Sequence, residues 1–393
     1  MKRILFLYHT SSIGGGSYCL LNILKSIDRL KIEPVVLLCN PGPLTVEIEA
    51  LGISVYYLST MRVVPYNASL ISVDKLKSVV DILYSFSEFK RILKTVNPSV
   101  VYCNTMMLYP YLRIAKSKGY KTIIHIREHW PENQHRYQRY FALHNIAKFA
   151  DEVIAINTYS KSILEPFGRN PTIVYDWIDL SSRFEEHYLS DIFHEDMSDK
   201  RTFLYMGGMQ EIKGAYEVLL AFTKYLSDKN YRLLVLGIDS NYKTKGFRGF
   251  IKKIFSFLGR KTYSEKVLDL INSDSRIKCI SSIYNIKHLY EQVYCILSFF
   301  TIPHANLALA ESVICNVVNV AALSEESLEY SLNGKLACLY EANNFNDFVS
   351  KLQNIEVIHH DYLYRMSKYS YKIADLFNPQ RNIDVLNKVL NNI

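Results

Sequence analysis

The chain has few of the features that would place it quickly. No apolar run reaches the roughly 18 to 20 residues needed to cross a bilayer. The opening residues, MKRILFLYHTSSIGGG, have neither the full apolar stretch nor the small-residue cleavage site of a secretory signal, and they read as a first β-strand. No C-x-x-C pair occurs: the seven cysteines, at 19, 39, 103, 279, 295, 315 and 338, stand singly and mostly within apolar patterns. Such thiols read as reduced and buried, in a cytoplasmic setting. The eleven histidines form no H-E-x-x-H, so no metal is expected. Nothing has the pattern of a zinc finger, an RNP motif or a helix-turn-helix, which argues against a nucleic-acid reader. There is no repeat and no low-complexity tract.

What remains is a globular chain of 393 residues, 49% hydrophobic and 13% aromatic, with 30 tyrosines, which is material for two ordinary cores. A net charge of +8 suits an anionic partner, and nucleotide sugars, nucleic acid and anionic lipid all qualify. Short β-branched or aromatic runs at 3–8, 33–39, 53–57, 98–103, 120–126, 151–156 and 171–175 alternate with helical patterns at 17–29, 76–96 and 131–149. That alternation predicts a parallel sheet with helices on both faces. After a polar, acidic stretch at 179–200, a second series of strands begins at 201–206 and continues at 231–237, 276–281, 293–299, 317–321 and 336–340.

The most informative stretch is RTFLYMGGMQEIKGAYEVLLAF, residues 201–222. A strand runs into Gly207 and Gly208, where the lack of side chains lets a diphosphate approach the main chain. Lys213 and Gly214 then open an amphipathic helix whose free N–H groups and positive dipole end favour an anion, with the ammonium adding a full charge. The same glycine turn also serves as plain punctuation between strand and helix.

The second half resembles the retaining glycosyltransferases of family 4, and the resemblance extends over nearly the whole chain. In that family the second domain opens with a pattern near G-R-L-x-x-E-K-G; the eight residues here are Gly207 to Gly214, in which Lys213 and both flanking glycines match and Gly208 stands where the family has arginine. IPHANLALAES, residues 302–312, falls where the family carries two glutamates separated by seven residues. Glu311 takes the second place, Pro303 the first, and His304 follows. Glu311 lies among Leu307, Leu309, Val313 and Ile314, where a carboxylate must find a partner, and a ribose diol would serve. EYSLNGKLACLY, residues 329–340, matches the family's helix, glycine turn and returning strand.

In the first half, HTSSIGGGSYCLLNIL (9–24) places Gly14, Gly15 and Gly16 between the first strand and the first helix. The spacing is not G-x-G-x-x-G, and no acid ends the second strand, which disfavours a dinucleotide dehydrogenase. Gly15 and Gly16 would let the chain approach a donor. IIHIREHWPE (123–132) sets His125, Arg127, Glu128, His129 and Trp130 where a strand ends. Glu128 and His129 are favoured as ligand groups over His125, whose neighbours Ile124 and Ile126 point to strand packing. IVYDWIDLSSRF (173–184) resembles the family's interdomain pattern through Asp176, Ile178, Asp179 and Phe184, with Trp177 in place of a glycine, and fits a hinge. NYKTKGFRGFIKKIFSFLGRKTY (241–263) has seven Lys or Arg and no acid, a composition that fits an anionic membrane surface or a helix packed on the second sheet.

The resemblance implies an α/β GT-B fold, two Rossmann-like domains with parallel sheets facing a central cleft. The expected division is an acceptor-side domain at 1–178, a linker at 179–200, a nucleotide-sugar donor domain at 201–377 and a C-terminal helix at 378–393 crossing back to the first domain. It implies a metal-independent enzyme without cofactor, passing a sugar from a UDP- or GDP-linked donor to a glycan or lipid-linked acceptor in cell-surface polysaccharide synthesis. The setting would be cytoplasmic or peripheral on the inner face of the membrane. Lys213, Glu311, Glu128 and His129 are the expected catalytic residues; Gly15, Gly16, Gly207, Gly208, His304, Asn306 and Leu307 the expected donor contacts. An inactive scaffold subunit and a nucleotide-sugar epimerase remain as alternatives.

Overall fold

The computed structural model describes residues 1–63, 73–132, 134–178, 186–238, 261–283, 286–302 and 305–393, with the backbone alone for 73–78. The chain divides into two compact units, Met1–Trp177 with Phe377–Ile393, and Ile178–Leu376. Each is built on one parallel sheet.

In the first unit the strands are β1 (Lys2–Leu7), β2 (Ile32–Leu38), β3 (Ser54–Tyr57), β4 (Val100–Cys103), β5 (Lys121–Ile126), β6 (Glu152–Ala155) and β7 (Thr172–Ile173), in the order β3-β2-β1-β4-β5-β6-β7. Central runs such as ILFL and VVYC are apolar at every position because helices bury both faces. On one face Leu20, Leu24, Ile48, Leu386 and Leu390 pack on Phe6, Tyr102 and Ile154. These come from the helices Gly15–Ser26, Pro43–Ala50 and Pro379–Asn392. On the other face Phe89, Leu112 and Ile146, from the helices Val73–Val96, Tyr109–Ser117 and Arg136–Phe149, pack on Leu5, Val101 and Ile124. The chain's last helix is therefore part of the first unit, tied to it also by Tyr175 N–H donating to Asn382 Oδ1 at 2.9 Å.

The second unit has β8 (Arg201–Tyr205), β9 (Tyr231–Leu236), β10 (Ile277–Ile280), β11 (Cys295–Ser298), β12 (Val318–Ala322) and β13 (Cys338–Tyr340), in the order β10-β9-β8-β11-β12-β13. The polar stretch expected to be a linker at 179–200 is in its described part no free connector. Its Leu189–Phe193 helix buries Leu189 and Phe193 in the second unit's core beside Leu204, Leu234 and Ile296. The stretch is polar because only one side of a short helix faces that core.

Chain order reverses once in each sheet, between β1 and β4 in the first and between β8 and β11 in the second. Loops leaving neighbouring strands in opposite directions open a crevice at such a point, which is where parallel sheets of this kind bind ligands. Two segments singled out in the sequence lie there, 9–16 after β1 and 206–214 after β8; 104–105 follows β4, and 299–302 follows β11.

Candidate active site

In the second unit β8 ends at Tyr205, whose hydroxyl donates back to the carbonyls of Gly208 (3.3 Å) and Lys213 (3.0 Å) and so pins the loop it precedes. Gly207 has to be glycine, since a Cβ there would stand 1.9 Å from the Tyr205 Oη. Gly208 is at φ +59 with the Gly237 carbonyl 3.3 Å from where its Cβ would be, so no arginine side chain fits that backbone without strain. Ile212 C=O accepts from Thr301 N–H at 3.0 Å, joining this loop to the one that follows β11.

Lys213 does not open the helix as the sequence implied. It closes a single 3-10 turn, Glu211–Lys213; Gly214 follows at φ +64, and the helix is Ala215–Tyr225. Nor is that helix's N-terminus free for an anion, because Tyr216 N–H donates to the Tyr263 hydroxyl at 3.0 Å and Glu217 occupies the first turn. The Lys213 ammonium itself makes no ion pair or hydrogen bond among the described residues, and partial burial lowers its pKa. A half-buried ammonium with no counter-charge among the described residues is a candidate site for an anion.

Glu311 lies in the second turn of the Leu307–Ile314 helix. Burial raises its pKa to about 7, opposed by the Tyr290 hydroxyl, which donates to Oε2 at 2.8 Å. That hydroxyl also lies 3.8 Å from the Met206 Sδ, so Glu311 belongs to the neighbourhood of the 206–214 loop. The partner of Glu311 is thus a neutral hydroxyl, not a cation. The helix that carries it starts at Asn306, whose side chain makes no capping bond and whose buried Nδ2 donor has no acceptor among the described residues. With Leu307 as first helical residue and no acid in the first turn, this helix end carries no side-chain cap and has the polarity that favours an anion. His304 and Pro303 lie outside the described residues, as do the charged and aromatic residues 241–260 and Asp179 to Phe184.

The first unit is arranged differently. Glu128 accepts from Thr105 Oγ1, from Met106 N–H at 3.0 Å and from its neighbour Arg127 N–H at 3.1 Å. Burial raises its pKa against those bonds, and its two oxygens brace the turn after β4 rather than face a ligand. His129 is buried, stacked on Tyr159 with ring centres 4.0 Å apart, and so packs in the core. The residue passed over, His125, is the one with capacity left. Its Nδ1 lies 2.7 Å from the Tyr102 hydroxyl and 3.1 Å from Arg127 Nη2. A guanidinium only donates, so Nδ1 accepts and the proton sits on Nε2, a buried donor with no acceptor among the described residues. Burial first, then the Arg127 charge, hold the His125 pKa well below the usual value, so the ring is neutral.

Arg127 is fixed by an ion pair with Asp176 and by Nε donating to Asn104 Oδ1 at 3.1 Å. Asp176, read from sequence as part of a hinge, is that partner, and Trp177 beside it is buried in the first unit's core. Gly15 and Gly16 begin the Gly15–Ser26 helix; a Cβ on Gly15 would meet open space, whereas one on Gly16 would lie 2.6 Å from the Tyr8 hydroxyl. Next to them His9 is held neutral by burial, with a pKa pushed down to about 4 and an Nδ1 lacking a partner among the described residues. Sequence reasoning missed His9; its place just past the end of the strand at the reversal was the available signal. Among the described residues no group of three or more His, Cys, Asp or Glu could hold a metal ion, and no helix is long and apolar enough to cross a membrane.

Two doubly wound parallel sheets, each with a glycine-bearing loop at its reversal, define the GT-B fold of nucleotide-sugar enzymes. Residues 13–182 match the family described as Glycosyltransferase Family 4, in agreement with the resemblance read from the motifs. Among solved structures, HepE of Anabaena in complex with UDP and glucose is similar at a TM-score of 0.74 and 16% identity, with all of both chains covered. A glycosyltransferase of Rickettsia africae matches at 0.64 and 16%, covering 100% of this chain and 99% of that one. MnaA of S. aureus in complex with UDP matches at 0.67 and 15%, covering 100% and 98%. No curated protein sequence matches the chain.

Proposed function

We propose that this chain is a retaining, metal-independent glycosyltransferase that moves a sugar from a UDP- or GDP-linked donor to a glycan or lipid-linked acceptor in cell-surface polysaccharide synthesis, working on the cytoplasmic side. The observation that carries the reading is the Lys213 ammonium, without a partner among the described residues, beside the Gly207–Gly208 turn at the reversal of the second sheet. A leaving diphosphate supplies the missing counter-charge there. The Asn306 side chain and the start of the Leu307–Ile314 helix supply neutral donors to the same group. Glu311 accepts the ribose hydroxyls, which stabilise its charged form. Solved structures of this fold bound to UDP, and in one case UDP with glucose, support a uridine donor.

The chemical task is then stabilisation of the leaving group, with the acceptor hydroxyl passing its proton to the departing phosphate; no side chain acts as nucleophile. In the first unit the group offered to a sugar hydroxyl is the His125 Nε2–H, in place of Glu128 and His129, with Gly15 and Gly16 as the approach for the substrate. The test is a screen of UDP- and GDP-sugars for nucleotide release by the purified protein, with and without lipid-linked acceptor, alongside Lys213→Ala and Glu311→Gln. Each substitution is expected to lower turnover tens-fold, since a charge-assisted contact contributes roughly 1.5 to 3 kcal/mol. Epimer formation, or nucleotide binding without turnover, would replace this reading with an epimerase or a binding subunit; wild-type activity in both variants would remove the two residues from the site.

A further inference from the structure

Three helices of the first unit, Val73–Val96, Tyr109–Ser117 and Arg136–Phe149, lie side by side on one face of the sheet, the middle one packed against both others. Their inward sides are the core already described. Their outward sides are unusual for a surface in water. On Arg136–Phe149, Tyr137, Tyr140 and Phe141 are 87%, 62% and 57% exposed, at i, i+3 and i+4, and the helix contains no acid. On Val73–Val96, Leu83 and Tyr84 are 61% and 73% exposed, with Val79 and Val80 one turn before them. Two to three turns further along the same stripe come Lys90, Arg91 and Lys94, which with Lys118 and Tyr120 line a groove of about 460 Å³.

The charges on this layer have one sign left over. Of the described carboxylates on the three helices, Asp81 pairs with Arg62 and Glu88 with Arg91; beside the helices Asp151 pairs with Lys116 and Glu132 with Arg139. Lys90, Lys94, Arg113, Lys118, Arg136 and Lys148 have no carboxylate partner among the described residues. Exposed aromatic and aliphatic side chains beside uncompensated bases match an interface that is apolar within and anionic at its surface.

We propose that this layer of helices rests on an anionic phospholipid bilayer, with Tyr84, Leu83, Tyr137, Tyr140 and Phe141 entering the headgroup region and Lys90, Lys94 and Lys118 meeting lipid phosphate. Its residues are other than those of the basic 241–263 segment and those assigned to the sugar donor, so it stands or falls independently of the catalytic reading. A protein so placed holds its first unit against the membrane, where a lipid-linked acceptor resides.

The experiment is co-sedimentation of the full chain with phosphatidylcholine vesicles and with vesicles containing equal parts of phosphatidylglycerol, at low and high salt. Binding is expected only to the anionic vesicles and to weaken with salt. A triple variant Tyr137→Ser, Tyr140→Ser, Phe141→Ser and, separately, Lys90→Ser, Lys94→Ser, Lys118→Ser are each expected to raise the lipid concentration for half-binding at least tenfold, with unchanged nucleotide binding as the check on folding. The proposal is overturned if the wild type binds neither vesicle. It is equally overturned if both triple variants bind like wild type while Lys245→Ser, Arg248→Ser, Lys252→Ser, Lys253→Ser together abolish binding. A wild-type dimer in sedimentation velocity that the Tyr and Phe substitutions dissociate, with no vesicle binding, would assign the face to a second copy instead.

Discussion

The two units meet the same problem, charged side chains at the carboxyl ends of a parallel sheet, and solve it in opposite ways. In the first, the polar groups satisfy one another: Arg127 pairs with Asp176 and donates to Asn104 and His125, and Glu128 takes three neutral donors. In the second, among the described residues, Lys213 has no counter-charge and Glu311 has only a neutral hydroxyl. Burying an unpaired charge is costly, so a fold that tolerates it keeps a place for a charged ligand, whereas the closed network rigidifies the walls of its own loops. The first unit leaves neutral imidazoles, the second leaves an ammonium and a carboxylate. Groups of the first kind suit hydroxyls, and those of the second suit a nucleoside diphosphate.

The sharpest way to break this contrast is at the closed network. Arg127→Met strands Asp176 in a buried position, and Asp176→Asn strands the guanidinium. Removing one partner of such a pair costs about 3 to 5 kcal/mol. The urea midpoint of the first unit should fall accordingly in either variant. If either is as stable as wild type, the network is not what holds the loops.

Glu311 tests the opposite claim. Its folded pKa of about 7 stands above the ordinary 4.5, so between those values the folded protein keeps a proton that the unfolded chain has released. Stability contributed by this group therefore falls as pH rises through that window, and above it the buried charge costs up to about 3 kcal/mol. Glu311→Gln removes the charge and keeps an acceptor for Tyr290, so it should match wild type near pH 4.5 and become the more stable protein by pH 8. Parallel stability curves would mean the carboxylate is not under strain. Ribose hydroxyls favour the charged form, so UDP affinity in the wild type should rise from pH 6 to pH 8 and be flat in the variant.

A smaller effect is expected at Glu128. Glu128→Ala unpairs the buried Thr105 hydroxyl and Met106 amide, a loss of about 1 to 3 kcal/mol, with little change in turnover per folded molecule. A large fall in turnover without loss of stability would restore Glu128 to the reaction and undo the distinction between a braced unit and an open one.

The strands were legible because each is a short apolar run, and each observed strand lies within two residues of its expected place. Loops following β8 and β11 were legible too, since glycines, a lysine and a glutamate at family spacing need no tertiary contact to be noticed. What the sequence concealed was satisfaction. Glu128 and His129 look like free chemistry in IREHW, and only the fold brings Thr105 and Tyr159 to them. His125 looks like strand packing between two isoleucines, and only Tyr102 and Arg127 on its Nδ1 reveal that Nε2 is left over. The helix after Lys213 looks open to an anion, yet Tyr263, nearly fifty residues on, fills it. Partners distant in sequence decide which polar groups are spent, and periodicity carries no record of them.

Lys213 should have the smallest effect on stability and the clearest on ligand. Lys213→Met keeps the stem that the side chain packs and deletes an ammonium that burial already disfavours, so stability should move by no more than about 1 kcal/mol, and upward if at all. Affinity for UDP should fall roughly ten- to a hundredfold, the loss of a charge-assisted contact, while affinity for uridine, which has no phosphate, stays as in wild type. Isothermal titration of both ligands separates the outcomes. A variant that loses uridine as well as UDP has lost the shape of the loop, and one that keeps both places the diphosphate elsewhere in the second unit, in which case the unpaired ammonium is a cost the fold bears for some other reason and the contrast between the units no longer marks the donor site.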